Sequence, residues 1–286
     1  MTATQDTLPD STARGGALVT GAGRGIGLEI ARRLVARGHH VHVTDIDGDR
    51  AARAAAHLGP RAFGSALDVR SFPACRAAAS RTVRRAGSLE VWVNNAGVLV
   101  TGPAWQQDER TRSLMLEVNA TGTINGTLAA LEPMRTVGHG HIINIVSMAG
   151  LVPAPGEAVY AASKHAAIGF SLATAADLRI AGIEGIEISC VCPDGVWTPM
   201  LFDKLDDPQA AASFSGVLLR PEDVASEAVG LLDNPQPVLT IPRWRGAMLR
   251  MFDLMPTLSL RYAPRVIARA QRKQRRYRRR ARAGRL

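Results

Sequence analysis

An α/β chain built on one doubly wound parallel sheet is the fold the sequence predicts, and three observations predict it. Short β-rich runs recur along the chain, they are apolar nearly throughout, and Ala- and Arg-rich stretches of helical length separate them. Strands buried on both faces lose the inside-outside alternation, and parallel neighbours need a crossover long enough for a helix. The runs are GALVT at 16–20, HVHVT at 40–44, VWVNN at 91–95, HIINIVS at 141–147, IEISCVC at 186–192 and PVLTI at 237–241. With 286 residues and 46% hydrophobic content, the chain can bury a full core without a staple, and no metal site is expected.

The flanks differ from this body. Residues 1–15 lack the apolar core of a signal peptide and read as a disordered leader, which leaves 16–242 as the folded domain and 243–286 as an extension. The formal net charge of +10 suggests a polyanion binder until it is located. Residues 261–286 hold twelve basic residues and no acidic one, so residues 1–260 carry 23 basic against 25 acidic side chains. Basicity belongs to the extension alone. Cys75, Cys190 and Cys192 form an odd set without CxxC spacing, which predicts a reduced, cytoplasmic protein, and no run of eighteen apolar residues predicts a membrane span.

The first strand runs into TGAGRGIG, Thr20 to Gly27, and then into the helical LEIARRLVARG. Gly21 suits a tight turn, Gly25 lets backbone approach a diphosphate, and Gly27 allows close helix packing, so a helix N-terminus faces an anion. The second strand ends at Asp45, eighteen residues after Gly27, where a Rossmann-type fold places an acid on the adenosine ribose. A carboxylate there repels the extra phosphate of NADP, so NAD is the expected cofactor; Arg24 in the turn is the contrary cue.

The stretch AVYAASKHAAIGF places Tyr160 and Lys164 at i and i+4 on one helix face. An ammonium about 4 Å from a phenol contributes about 4 kcal/mol at an effective dielectric near 20, enough to bring a pKa near 10 down by about three. Such a tyrosine exchanges a proton near neutral pH. Ser147 ends the fourth run, thirteen residues before Tyr160, at the sheet edge where open α/β folds bind ligands.

With these residues in place, the chain resembles the short-chain dehydrogenase/reductase family. The match comprises TGxxxGxG at Thr20, Gly21, Gly25 and Gly27, NNAG at Asn94 to Gly97, the helix asparagine at Asn119, and Ser147, Tyr160 and Lys164, in order, over about residues 16–241. The resemblance implies a hydride transfer between a nicotinamide cofactor and an alcohol or ketone. Tyr160 would be the general acid/base, Ser147 would hold the substrate oxygen, Lys164 would lower the tyrosine pKa and hold the nicotinamide ribose, and Asn119 would position a relay water. It carries cofactor contacts onto Thr20, Gly21, Arg24, Gly25, Ile26, Gly27, Asp45, Asp68, Val69, Asn95, Ala96, Gly97, Tyr160, Lys164 and Thr198, and implies a homo-oligomer. One departure stands out: the family's Pro-Gly step reads Pro193-Asp194 in this chain.

Trp197, Met200, Leu201 and Phe202 follow that step and favour a lipophilic substrate. In the extension, Met248, Met251, Phe252 and Met255 recur at helical spacing beside arginines, the pattern of an interfacial helix on an anionic membrane surface. A nucleic-acid role is disfavoured, because only Tyr277 interrupts the arginine run for stacking. Two other readings stay open from the sequence alone: a catalytically silent dinucleotide-binding scaffold, and a surface binder acting through the tail. The extension is expected to be removable without loss of turnover on a small soluble substrate.

Overall fold

The computed structural model describes residues 14–283; the expected leader lies outside the described residues up to position 13. The first strand, β1 (Arg14–Val19), begins two residues before the expected boundary. It is followed by α1 (Gly25–Ala36), β2 (His39–Asp45), α2 (Gly48–Leu58), β3 (Ala62–Ala66), α3 (Phe72–Ala86) and β4 (Leu89–Asn94). The second half comprises α4 (Glu109–Leu116), α5 (Gly122–Val137), β5 (Gly140–Ile145), α6 (Ala158–Ile180) and β6 (Ile186–Pro193). It closes with the short α7 (Pro199–Phe202), α8 (Pro221–Gly230), β7 (Val238–Ile241), α9 (Arg243–Asp253) and α10 (Pro256–Arg282).

Among the described residues, seven parallel strands lie in the order β3-β2-β1-β4-β5-β6-β7, one more than the sequence pattern predicts. The missed strand is β3, AFGSA, an edge strand with no fully buried residue. Its Gly64 lets α2 come close, since a Cβ there would sit 2.4 Å from the Ala51 carbonyl oxygen. A short, half-exposed edge strand containing glycine gives no apolar run to read.

Alternate residues of the central strands feed two cores. Val19, Val43, Val93 and Ile143 pack with Ile30, Leu34, Ala51 and Val224 of α1, α2 and α8 on one face. Leu18, Trp92, Ile142 and Ile188 pack with Cys75, Ala130 and Leu178 of α3, α5 and α6 on the other. Cys190 and Cys192 share a third small cluster, as two residues apart on a strand must, and burial raises both thiols. A polar pin joins the middle of the sheet to α5: Asn94 Nδ2 donates to Asn144 Oδ1 at 2.9 Å and Thr127 Oγ1 at 3.2 Å, while its Oδ1 accepts from Trp92 Nε1 at 2.7 Å.

Chain direction across the sheet reverses between β1 and β4. Crossovers leave these two strands to opposite sides, so a crevice opens past their carboxyl ends, where ligands of open α/β sheets bind.

Candidate active site

A cleft of about 600 Å³ occupies that crevice and runs from the glycine-rich turn to the start of α6. At one end, Asn95 Nδ2 donates to the carbonyls of Thr20 (2.9 Å) and Gly21 (3.0 Å), tying the turn to the end of β4. Gly21 and Gly25 take φ of +60° and +59°, and a Cβ on Gly21 would meet Ala96 Cα at 2.8 Å. Gly25 faces Thr198 across the cleft, with Thr198 Cγ2 at 3.5 Å from where its Cβ would stand.

Asp45 is 6% exposed and closes this end. Its carboxylate accepts from the amides of Gly23 and Asp47, both at 3.1 Å, and lies 3.8 Å from the Arg50 guanidinium. Arg50, which the sequence reading did not single out, also pairs with Asp47 at 2.9 Å. Asp68 and Val69 line the cleft beyond Asp45; Arg70 binds the Asp68 carboxylate at 2.7 Å and holds its pKa below the ordinary value.

At the other end, Ser147, Tyr160 and Lys164 converge. Ser147 follows β5 and its Oγ accepts from the Ala149 amide at 3.1 Å. Lys164 is 4% exposed; its Nζ donates to the Ile145 carbonyl at 3.1 Å and lies 5.7 Å from the centre of the Tyr160 ring. Burial brings the Lys164 ammonium down to about 8, so it is charged at neutral pH. Tyr160 keeps partial exposure to the cleft and is otherwise enclosed by protein. Burial raises its phenol, the Glu157 carboxylate raises it further, and a hydrogen bond with Ser147 opposes both. The expected lowering of the phenol is therefore not met in the protein alone, where burial and the Glu157 carboxylate raise it.

Glu157 is a second residue that sequence reasoning missed. It precedes Tyr160 by one helical turn, is 3% exposed, and accepts from Ser213 Oγ at 2.6 Å and the Ser213 amide at 3.1 Å. Burial lifts its carboxyl to about 7. Its distant partner left no signal in the local sequence.

Residues 16–209 match the family described as short chain dehydrogenase. The chain belongs to the short-chain dehydrogenase/reductase family. It is 34% identical over 225 residues to the cyclopentanol dehydrogenase of Comamonas sp., covering 76% of this chain and 89% of that protein. It is 36% identical over 225 residues to the short-chain reductase protein NovJ of Streptomyces niveus, covering 78% and 83%. Among solved structures, a short-chain dehydrogenase/reductase from Burkholderia phymatum in complex with NAD superposes with a TM-score of 0.76 at 26% identity, covering 84% of this chain and 93% of that one. As in the rest of this family, the cofactor is a nicotinamide dinucleotide.

Within this short-chain dehydrogenase/reductase, three of the residues carried over by resemblance do not line the cleft: Thr20, Gly27 and Asn119. Thr20 is 1% exposed, and its Oγ1 accepts from the amides of Asn95 and Ala96 at 2.9 and 3.0 Å, joining β1 to β4 beneath the turn. A Cβ on Gly27 would collide with Asn95 Nδ2 at 2.4 Å, which is the close packing expected of it. Asn119 sits in a π-helical turn, Glu117–Thr121, between α4 and α5. Its side chain exchanges hydrogen bonds of 2.8 and 2.9 Å with the Val98 backbone and donates to Ser163 Oγ at 3.0 Å. Ser163 donates in turn to the Tyr160 carbonyl at 2.6 Å, so Asn119 braces the tyrosine's helix.

The substrate-side aromatics divide. Met200 and Leu201 line the cleft, whereas Trp197 packs at a tilt on Phe202 with ring centres 5.0 Å apart and edge-to-face with Tyr277 at 5.2 Å. The methionine stripe of the extension also breaks up. Its helix ends at Asp253, Met248 is half-buried, and Met251, Phe252 and Met255 are exposed. The pocket is instead reached by Arg245, Leu249, Val266 and Ile267. α10 packs on the substrate loop, with Gln274 Nε2 donating to the carbonyls of Lys204 (2.9 Å) and Asp207 (2.7 Å). The extension is part of the site rather than an appendage, so its removal is not expected to spare turnover.

Proposed function

We propose that this protein is an NAD-dependent alcohol dehydrogenase/ketone reductase acting on a lipophilic secondary alcohol or its ketone. The convergence of Ser147, Tyr160 and Lys164 at the substrate end of a dinucleotide cleft carries the reading. It favours a catalyst over a silent scaffold, which has no use for a buried ammonium beside a phenol. Met148, Val152, Met200 and Leu201 give that end its apolar lining.

The bound nicotinamide supplies the hydride acceptor or donor. In oxidation, Ser147 Oγ holds the substrate oxygen and the deprotonated Tyr160 takes the hydroxyl proton as the hydride leaves; reduction reverses both transfers. Lys164 offsets the charge of the tyrosinate and binds the nicotinamide ribose, and Asn119 fixes the helix from which Tyr160 projects. At the adenosine end, Gly21, Gly25 and Ile26 would receive the diphosphate, Asp45 the ribose, and Asp68 and Val69 the adenine, with Asn95, Ala96 and Gly97 lining the cleft beside the turn; Thr198 would meet the nicotinamide half. A homo-oligomer is the assembly this family membership favours. An assay of cyclopentanol and longer secondary alcohols with NAD tests the reading; no reduction of NAD by any of them would overturn it.

Preference for NAD over NADP rests on Asp45, because the ribose 2′-phosphate would face a buried carboxylate. Arg24, Arg50 and Arg70 line the same end, but Arg50 and Arg70 are already paired with acids. Asp45→Ala is expected to narrow the ratio of NADPH to NADH dissociation constants by about 10- to 100-fold. Wild-type binding of NADPH as tight as NADH would mean the arginines prevail.

A second reading concerns where the enzyme works. Leu254 (82% exposed), Leu260 (67%) and Met251 (61%) crowd the junction of α9 and α10, flanked by Arg250, Arg261 and Arg265, with Asp253 the single acid after residue 242. No helix among the described residues is long and apolar enough to cross a membrane. An apolar tip within a cationic belt suits the surface of an anionic bilayer. Co-sedimentation with phosphatidylglycerol vesicles is expected at low salt, weakened by high salt and by Met251→Ser/Leu254→Ser/Leu260→Ser. No pelleting at low salt would overturn this attachment.

A further inference from the structure

Asp194 stands where the family resemblance leads one to expect glycine, and the structure gives it a partner 51 residues further along the chain. Its Oδ2 lies 2.5 Å from Arg245 Nε, with the two side chains 7% and 13% exposed. The Nε–H is not aligned for a hydrogen bond, so charge holds the pair. Arg245 Nη2 donates to Ser215 Oγ at 3.0 Å, while Asp194 accepts from the amides of Gly195 (3.1 Å) and Val217 (2.8 Å). Lys273 of α10 donates to the Gly216 carbonyl. Two glycines make the room: a Cβ on Gly216 would stand 1.8 Å from Asp194 Oδ2, and one on Gly246 would stand 2.2 Å from Thr240 Oγ1, where α9 lies on β7. Burial raises the Asp194 carboxyl and Arg245 opposes that rise.

The same contacts place three apolar side chains. Leu249 follows Arg245 by one turn of α9, and Val266 and Ile267 lie on the α10 stretch that precedes Lys273; all three line the cleft. We infer that the Asp194–Arg245 pair is a latch that seats the C-terminal helices as the outer wall of the substrate chamber, making Asp194 and Arg245 positioning residues for substrate choice. The wall selects for length: a long-chain secondary alcohol reaches Leu249, Val266 and Ile267, while a small cyclic one stays within the inner end lined by Ser147, Tyr160, Met148 and Met200. This substrate assignment rests on the dehydrogenase reading above; the latch itself does not.

Removing one partner leaves the other charge buried and unpaired. In Asp194→Asn and in Arg245→Met, backbone amide exchange over residues 263–282 is expected to quicken by about tenfold or more, with the double variant exchanging more slowly than the two effects combined predict. In the same variants, kcat/KM for 2-decanol should fall relative to that for cyclopentanol by about tenfold, mainly through KM. Ile267→Ala leaves the latch intact and should lower the same ratio, with exchange near Arg245 unchanged. Unchanged exchange over 263–282 in both single variants would overturn the latch, and an unchanged alcohol ratio in all three variants would overturn the wall. If the wild type oxidises neither alcohol, the dehydrogenase reading and the wall fail together, and the exchange data still judge the latch.

Discussion

Tyr160→Phe is expected to reduce kcat by about 10²–10⁴ in both directions while leaving the NADH dissociation constant within a few-fold of wild type. The variant removes one oxygen and keeps the ring that packs beside Lys164. Lys164→Ala should damage both quantities, since the roles proposed for its ammonium are to offset the tyrosinate charge and to bind the nicotinamide ribose. Burial holds the Tyr160 phenol above its ordinary range, so alcohol oxidation in the wild type should rise with pH above neutrality and ketone reduction should not. Stopped-flow turnover and fluorescence titration with NADH measure the two effects. A Phe variant with most of its kcat would remove Tyr160 from the proton transfer.

The second large effect belongs to Glu157→Gln. In the folded protein the carboxyl is lifted from 4.5 to about 7, chiefly by burial, so the native state holds a proton that the unfolded chain releases. Stability contributed by this site is therefore highest below pH 4.5 and declines as pH rises to about 7. The full loss is about 3 kcal/mol by linkage. Glutamine can still accept from Ser213 and has no proton to lose. The difference in unfolding free energy between variant and wild type should shift by that amount, in the variant's favour, from pH 4.5 to pH 8. Because the Glu157 charge raises Tyr160, the variant's oxidation profile should also begin its rise at lower pH. Denaturant titrations at pH 4.5, 6 and 8 check the first effect; parallel curves for the two proteins would mean that Glu157 does not titrate in this window.

Much of this was legible in the chain because it is local or periodic. The apolar strand runs, the glycine turn, Asp45 at a strand end and the Tyr160–Lys164 spacing each follow from backbone geometry within a few residues, and their order along the chain carries the family resemblance. The weak edge strand β3 escaped because a half-exposed strand with a central glycine has no pattern to detect. Tertiary structure alone decided the rest. It set Glu157 against Ser213, Asp194 against Arg245, and Tyr277 against Trp197, pairs separated by 56, 51 and 80 positions. It also enclosed Tyr160, so that burial raises the phenol that the Lys164 spacing was expected to lower. A charge's influence depends on how much water surrounds it, and spacing along a helix does not encode that. Residues 243–283 show the same division: composition revealed their charge and amphipathic character, while only the docking of α9 and α10 brings Arg245, Leu249, Val266 and Ile267 to the cleft.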